Sequence, residues 1–119
     1  MNKAEEIVRQ YLAAMERRDL PAARALLAPG FHMVFPGARR FDTLEALVEW
    51  ARGRYRSARK TYDRYETCGD AVYCYGTLNG ELLDGSSYSG IRFIDRFTVR
   101  DGKLADQNVW NDMAEVLGR

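Results

Sequence analysis

The hydrophobic period of this 119-residue chain changes near Ala58, and the change restricts the folds open to it. Before it, Ala4, Ile7, Val8, Tyr11, Leu12 and Met15 recur at helical spacing and predict an amphipathic first helix. Asp19 can cap a short second helix with Pro21 in its first turn. Its apolar stripe is Ala23, Leu26 and Leu27, and Pro29-Gly30 would end it. Phe31 to Phe35 reads as a short strand, turned by Pro36-Gly37. Asp42 and Glu45 resemble a capping box for a third helix with Leu44, Leu47, Val48, Ala51 and Tyr55 on its apolar face.

After Ala58 the candidates are strands: Thr61 to Thr67, Ala71 to Leu82, Tyr88 to Val99 and Leu104 to Met113. Gly69-Asp70, Asp84-Gly85-Ser86 and Asp101-Gly102 mark the turns, the last being a strong hairpin signal. Helices followed by an antiparallel meander predict an α+β domain. The chain is long enough for one core and too short for two, so residues 1–119 are read as a single domain. Long strands in so small a domain curl, which wraps the sheet around the three helices. Gly76, Gly80 and Gly90 are candidate bends.

One strand carries a mismatch. Ile91, Phe93, Phe97 and Val99 share one alternation, and Asp95 falls on that same apolar side. A buried carboxylate must find a partner or hold a proton. The expectation is a neutral Asp95 that donates to Tyr11 or to a ligand. A carboxyl group kept in an apolar setting is also recurrent catalytic equipment. Tyr11, on the stripe of its helix, needs a partner for its hydroxyl, and Asp95 is a candidate.

Other classes find little support. The net charge of +1 argues against a general polyanion binder, so no nucleic-acid partner is expected. No apolar run approaches the roughly 20 residues that span a bilayer, so no membrane partner is expected either. The acidic start is not a signal peptide, which leaves a cytoplasmic protein as the simplest reading. One histidine and two cysteines make a metal site poorly supported, and Cys68 and Cys74 are read as free thiols. His32 alternates away from Phe31, Met33 and Phe35 and is read as facing solvent or an interface. The basic run from Arg52 to Lys60 is read as a solvated face at a helix C-terminus.

The segments Val8-Arg9-Gln10-Tyr11-Leu12-Ala13-Ala14-Met15 with Asp19-Leu20, the Phe35-Pro36-Gly37 turn, and Arg92-Phe93-Ile94-Asp95-Arg96-Phe97 through Val109-Trp110-Asn111-Asp112 carry a resemblance. Over nearly the whole chain they resemble the nuclear transport factor 2-like superfamily, in particular its SnoaL-like branch. The resemblance implies a cone: a strongly bent, antiparallel or mixed sheet closing over helices around an apolar pocket. It also implies a homodimer through the outer sheet face. The superfamily spans isomerases, cyclases, dehydratases and non-catalytic binders, so fold alone does not choose the function.

Against the ketosteroid isomerases, Tyr11 matches the oxyanion-hole tyrosine and Asp95 the protonated aspartate. Phe35 stands where the general base belongs, and a phenyl ring takes no proton. The resemblance thus implies a small apolar or carbonyl-containing ligand, with Tyr11 and Asp95 as candidate catalytic residues and no cofactor. Isomerase, cyclase and lyase chemistry all stay open. Phe35, Tyr55, Tyr73, Tyr75, Phe93, Phe97 and Asn111 are the candidate ligand-binding residues. Asn111 faces inward if the final strand alternates through Gln107 and Val109, which turns Trp110 outward. A non-catalytic small-molecule binder and a structural interaction module are the alternatives.

Overall fold

A computed structural model describes residues 2–118. The element order is α1 (Lys3–Glu16), α2 (Leu20–Arg24), β1 (Leu27–Phe35), β2 (Arg39–Phe41), α3 (Leu44–Arg52), β3 (Tyr55–Cys68), β4 (Ala71–Leu82), β5 (Ser87–Arg100), β6 (Lys103–Asn111) and α4 (Met113–Leu117). The strands form one six-stranded sheet in the order β2-β1-β6-β5-β4-β3. Only β1 and β6 run parallel, so the sheet is mixed. It curls around the helices, and the fold is the expected α+β cone.

Local chemistry explains the helix starts. The Asn2 side chain accepts from the Glu5 amide at 2.7 Å, and Glu5 and Glu6 lie at the positive end of the α1 dipole. α1 then buries Val8, Tyr11, Leu12, Ala14 and Met15. Asp19 caps α2 as expected, through the Ala22 amide. α3 departs from expectation. Thr43, not Asp42, caps it by accepting from the Ala46 amide, while Asp42 accepts from Arg40.

Three boundaries also move. Leu27 is the first residue of β1, and α2 stops at Arg24 before Pro29-Gly30 is reached. Pairing wins over helical spacing here: Leu27 lies opposite Leu104, and the Leu104 amide donates to the Leu26 carbonyl. Tyr55 begins β3 instead of extending α3, since β3 can pair with β4 along its whole length. Met113 starts α4 instead of ending β6.

The sheet bends where β3 crosses β4. A Cβ at Gly76 would stand 1.9 Å from the Thr61 carbonyl oxygen, so no side chain fits there. Beside it the register shifts between Tyr62 and Arg64. The β5–β6 hairpin turns through Asp101 and Gly102, both at positive φ, as an Asp-Gly turn predicts. Cys68 and Cys74 are free, the first exposed and the second buried.

Candidate functional site

The inner face of β5 is set by its alternation. Ile91, Phe93, Asp95, Phe97 and Val99 are buried, and Asp95 is fully so. Cross-strand pairing puts Cys74 of β4 and Val109 of β6 beside Asp95. Gln107 stands opposite Phe97 and also points inward. Lys60 reaches the same place from β3, where Ala58, Lys60 and Tyr62 form the inward alternation.

These residues form one chain of hydrogen bonds. Lys60 Nζ donates to Asp95 Oδ2 at 2.5 Å, and Gln107 Nε2 donates to the same oxygen at 3.4 Å. The Tyr11 hydroxyl donates to Gln107 Oε1 at 3.1 Å. Asp95 is therefore partnered by Lys60, and Gln107 stands between it and Tyr11. Lys60 thus takes the donor role expected of Asp95, and the Asp95 carboxyl accepts within an ion pair. Asp95 Oδ1 is buried and has no hydrogen-bond partner among the described residues.

The electrostatics follow from that pairing. Burial is the largest single effect on Lys60 and disfavours its charge, but the Asp95 charge, Cys74, the hydrogen bond to Asp95 and Tyr55 together outweigh burial and hold the lysine pKa above its ordinary value. Burial, and then the Asp95 charge, push Tyr11 well above the usual phenol range. Burial and the same charge raise the Cys74 thiol to about 12. All three groups stay protonated at neutral pH.

Asp95 faces a cavity of about 380 Å³, inside the roughly 300–1,000 Å³ typical of small-molecule sites. Phe35, Trp50 and Tyr55 wall one end, with the Phe35 and Trp50 rings edge to face at 5.7 Å. Phe93 lines it further in, edge to face with Tyr62 and with Lys60 Nζ 4.9 Å from its centroid. Asn111 lines the cavity too, and its side chain accepts from the Met113 amide at the start of α4. A second, more open groove lies between α1 and β3. It is lined by Arg9, Arg17 and Arg59 among others and shares Lys60 with the first.

The cavity thus gathers Tyr11, Asp95, Phe35, Tyr55, Phe93 and Asn111. It does not gather three of the candidate ligand contacts. Phe97 is core: it is fully buried against the Tyr11 ring at 5.8 Å and does not line the space. Tyr73 and Tyr75 are on the opposite sheet face, because Val72, Cys74, Gly76 and Leu78 take the inward alternation of β4. Tyr75 donates there to Glu66. Trp110 faces outward, as expected, opposite Ile94.

Lys60 and Gln107 are the site residues that the sequence reading missed. The basic run from Arg52 to Lys60 is not one solvated face at a helix C-terminus: only Arg52 of it is helical, and Lys60 turns inward on β3. The available signal was its alternation with Ala58 and Tyr62. Among the described residues no three His, Cys, Asp or Glu side chains cluster as metal ligands, and no helix is long and apolar enough to cross a membrane.

A curled mixed sheet closed over helices is the architecture of nuclear transport factor 2-like proteins. Residues 8–107 match the SnoaL-like domain family, and the chain belongs to that family. Its structure is similar to a nuclear transport factor 2-like protein of unknown function from Burkholderia pseudomallei K96243. The TM-score is 0.86 at 21% identity over 99% of this chain and 97% of that one. TerC, co-crystallised with polyporic acid, is similar with a TM-score of 0.87 at 18% identity, over 99% of this chain and 100% of that one. A chain from Jannaschia sp. CCS1, provisionally assigned as a SnoaL-like polyketide cyclase, has a TM-score of 0.80 at 15% identity. That match covers 97% of this chain and 89% of that one. No curated protein matches the sequence.

Proposed function

We propose that the cavity binds a small, largely apolar carbonyl compound and moves a proton on it, as an isomerase, cyclase or lyase does. The observation that carries this reading is Asp95, a buried residue that lines an aromatic cavity, pairs with the Lys60 ammonium through Oδ2 and keeps Oδ1 without a partner among the described residues. A carbonyl oxygen near Lys60 gains a charge-assisted donor where negative charge develops. A C–H bond next to that carbonyl can give its proton to Oδ1, and its electron pair becomes the enolate double bond. Returning the proton at another carbon isomerises the compound, while attack of the enolate on a second carbonyl closes a ring. Lys60 takes the donor role that the family comparison gave to Tyr11 and Asp95. Tyr11 orients Gln107, which orients Asp95. Asp95 itself supplies the base that Phe35 cannot. TerC and the Jannaschia chain support a small-molecule ligand on this fold.

The test uses 2-tetralone, an enolisable aromatic ketone, in deuterated buffer. Proton NMR should show the protein accelerating exchange next to the carbonyl. Asp95→Asn, with its fold checked by near-ultraviolet circular dichroism, should lose about 100-fold of that rate or more. Exchange unaffected by Asp95→Asn would remove Asp95 as the base. Binding without exchange would favour a second reading, a non-catalytic carrier, which the Lys60–Asp95 ion pair supports because it already engages the carboxylate.

The outer sheet face gives a reason to pair two copies. Ile94 and Trp110 are 37% and 48% exposed and lie directly across from each other, with Tyr75 on the far side of Ile94. A homodimer through this face would bury them. Ile94→Arg with Trp110→Glu should then convert dimer to folded monomer in sedimentation velocity, whereas a monomeric wild type would end the dimer proposal. Two free cysteines suit the reducing cytoplasm in which we place the protein.

A further inference from the structure

We infer that the ligand of this cavity carries an anionic group at the end remote from Asp95, received at the rim by Arg18 and Arg39. The inference rests on the small-molecule reading above and narrows it to acidic aromatic or polyunsaturated carbonyl compounds.

Six charged residues line the cavity. Lys60 and Asp95 cancel one another at its base. The rest are Arg18, Arg39, Arg54 and Glu16, so guanidinium groups outnumber carboxylates in this lining, in a chain whose whole net charge is +1. The surplus is local, so it is a property of the opening and not of the composition. Eight other arginines form ion pairs with carboxylates, whereas Arg18 and Arg39 form none among the described residues. Arg18 Nη1 donates to the Met15 carbonyl at 2.6 Å, which anchors the side chain without neutralising it. The Arg39 guanidinium lies 5.4 Å from the Trp50 ring centroid, a contact that also leaves the charge uncompensated.

The two poles ask for different chemistry. At the base, a bare carboxylate oxygen would repel an anion, and the adjacent ammonium is already paired. At the rim, a carboxylate, sulfonate or acidic enol meets guanidinium groups in partly excluded water, where charge attraction exceeds its value in bulk solvent. The aromatic walls between the poles favour a flat body. A ligand with a carbonyl at one end and an acid at the other satisfies the whole cavity in a single orientation, carbonyl inward.

Two probes with one body separate the terms: 1-anilinonaphthalene-8-sulfonate and its neutral parent N-phenyl-1-naphthylamine, followed by fluorescence. The sulfonate should bind about tenfold tighter or better at low salt, and added salt should erode its advantage. Arg18→Gln with Arg39→Gln should abolish that advantage and leave the neutral probe within about twofold. Arg59→Gln, in the second groove, should change neither. Equal binding of both probes to wild type would overturn the anionic end while leaving the apolar cavity intact. An advantage lost with Arg59→Gln and kept in the Arg18/Arg39 variant would also overturn it, by moving the site to the other groove. Binding of neither probe would remove the small-molecule reading beneath it.

Discussion

Phe93 and Phe97 share one strand and one face, and both are buried, yet they belong to different parts of the protein. Phe97 is fully enclosed, packs edge to face on Tyr11 and does not line the cavity. Phe93 packs on Tyr62 and otherwise looks into the cavity. Asp95 lies between them on the same strand face, fully buried yet lining the cavity, at the boundary of core and cavity. The difference teaches that burial is not one state. A side chain surrounded on every side stabilises the fold, and one with a free side is available to a ligand.

The largest effect should come from testing that contrast directly. Phe97→Ala should cost about 4 kcal/mol in urea denaturation, because it opens a cavity in a closed core. Phe93→Ala should cost about 2 kcal/mol, since a cavity already exists there, and should weaken binding of the neutral naphthylamine more than Phe97→Ala does. Equal losses of stability would erase the distinction between core and cavity.

Next in size is the boundary itself. Lys60→Met leaves the Asp95 carboxylate buried without its counter-charge, an expected loss of about 3 kcal/mol. Adding Asp95→Leu should recover most of it, because removing both charges removes the penalty as well. A double variant as unstable as the single one would show that the pair holds this boundary together through more than charge balance.

The smallest effect is a pH dependence. Tyr11, Lys60 and Cys74 all have pKa values raised by folding. Such groups contribute stability that is complete below their unfolded values and is lost as pH rises toward the folded ones. For Cys74 the window runs from 9.0 to about 12. It should account for about 1 kcal/mol of lost stability between about pH 9 and 10. Denaturation midpoints across that range should fall, and Cys74→Ala should fall less steeply. A flat profile in the wild type would mean that the boundary is wetter than its geometry indicates.

Much of the architecture follows from local pattern. The bounds of β4, the inward Asp95, the Asp-Gly hairpin and the Asp19 cap are all consequences of alternation, turn chemistry and side-chain capping. These depend on neighbours a few residues away, so the amino-acid order by itself determines them. What it could not decide was which of two good alternations on β4 faces inward. Tyr73 and Tyr75 offer more apolar surface than Cys74 and Gly76, but the pairing of Cys74 with Asp95 and the close approach at Gly76 turn the tyrosines out. Tertiary structure alone also brought Lys60 to Asp95, 35 residues away in sequence, and divided Phe93 from Phe97. Ion pairing and free volume depend on residues that meet only when distant strands close, and no local period records them.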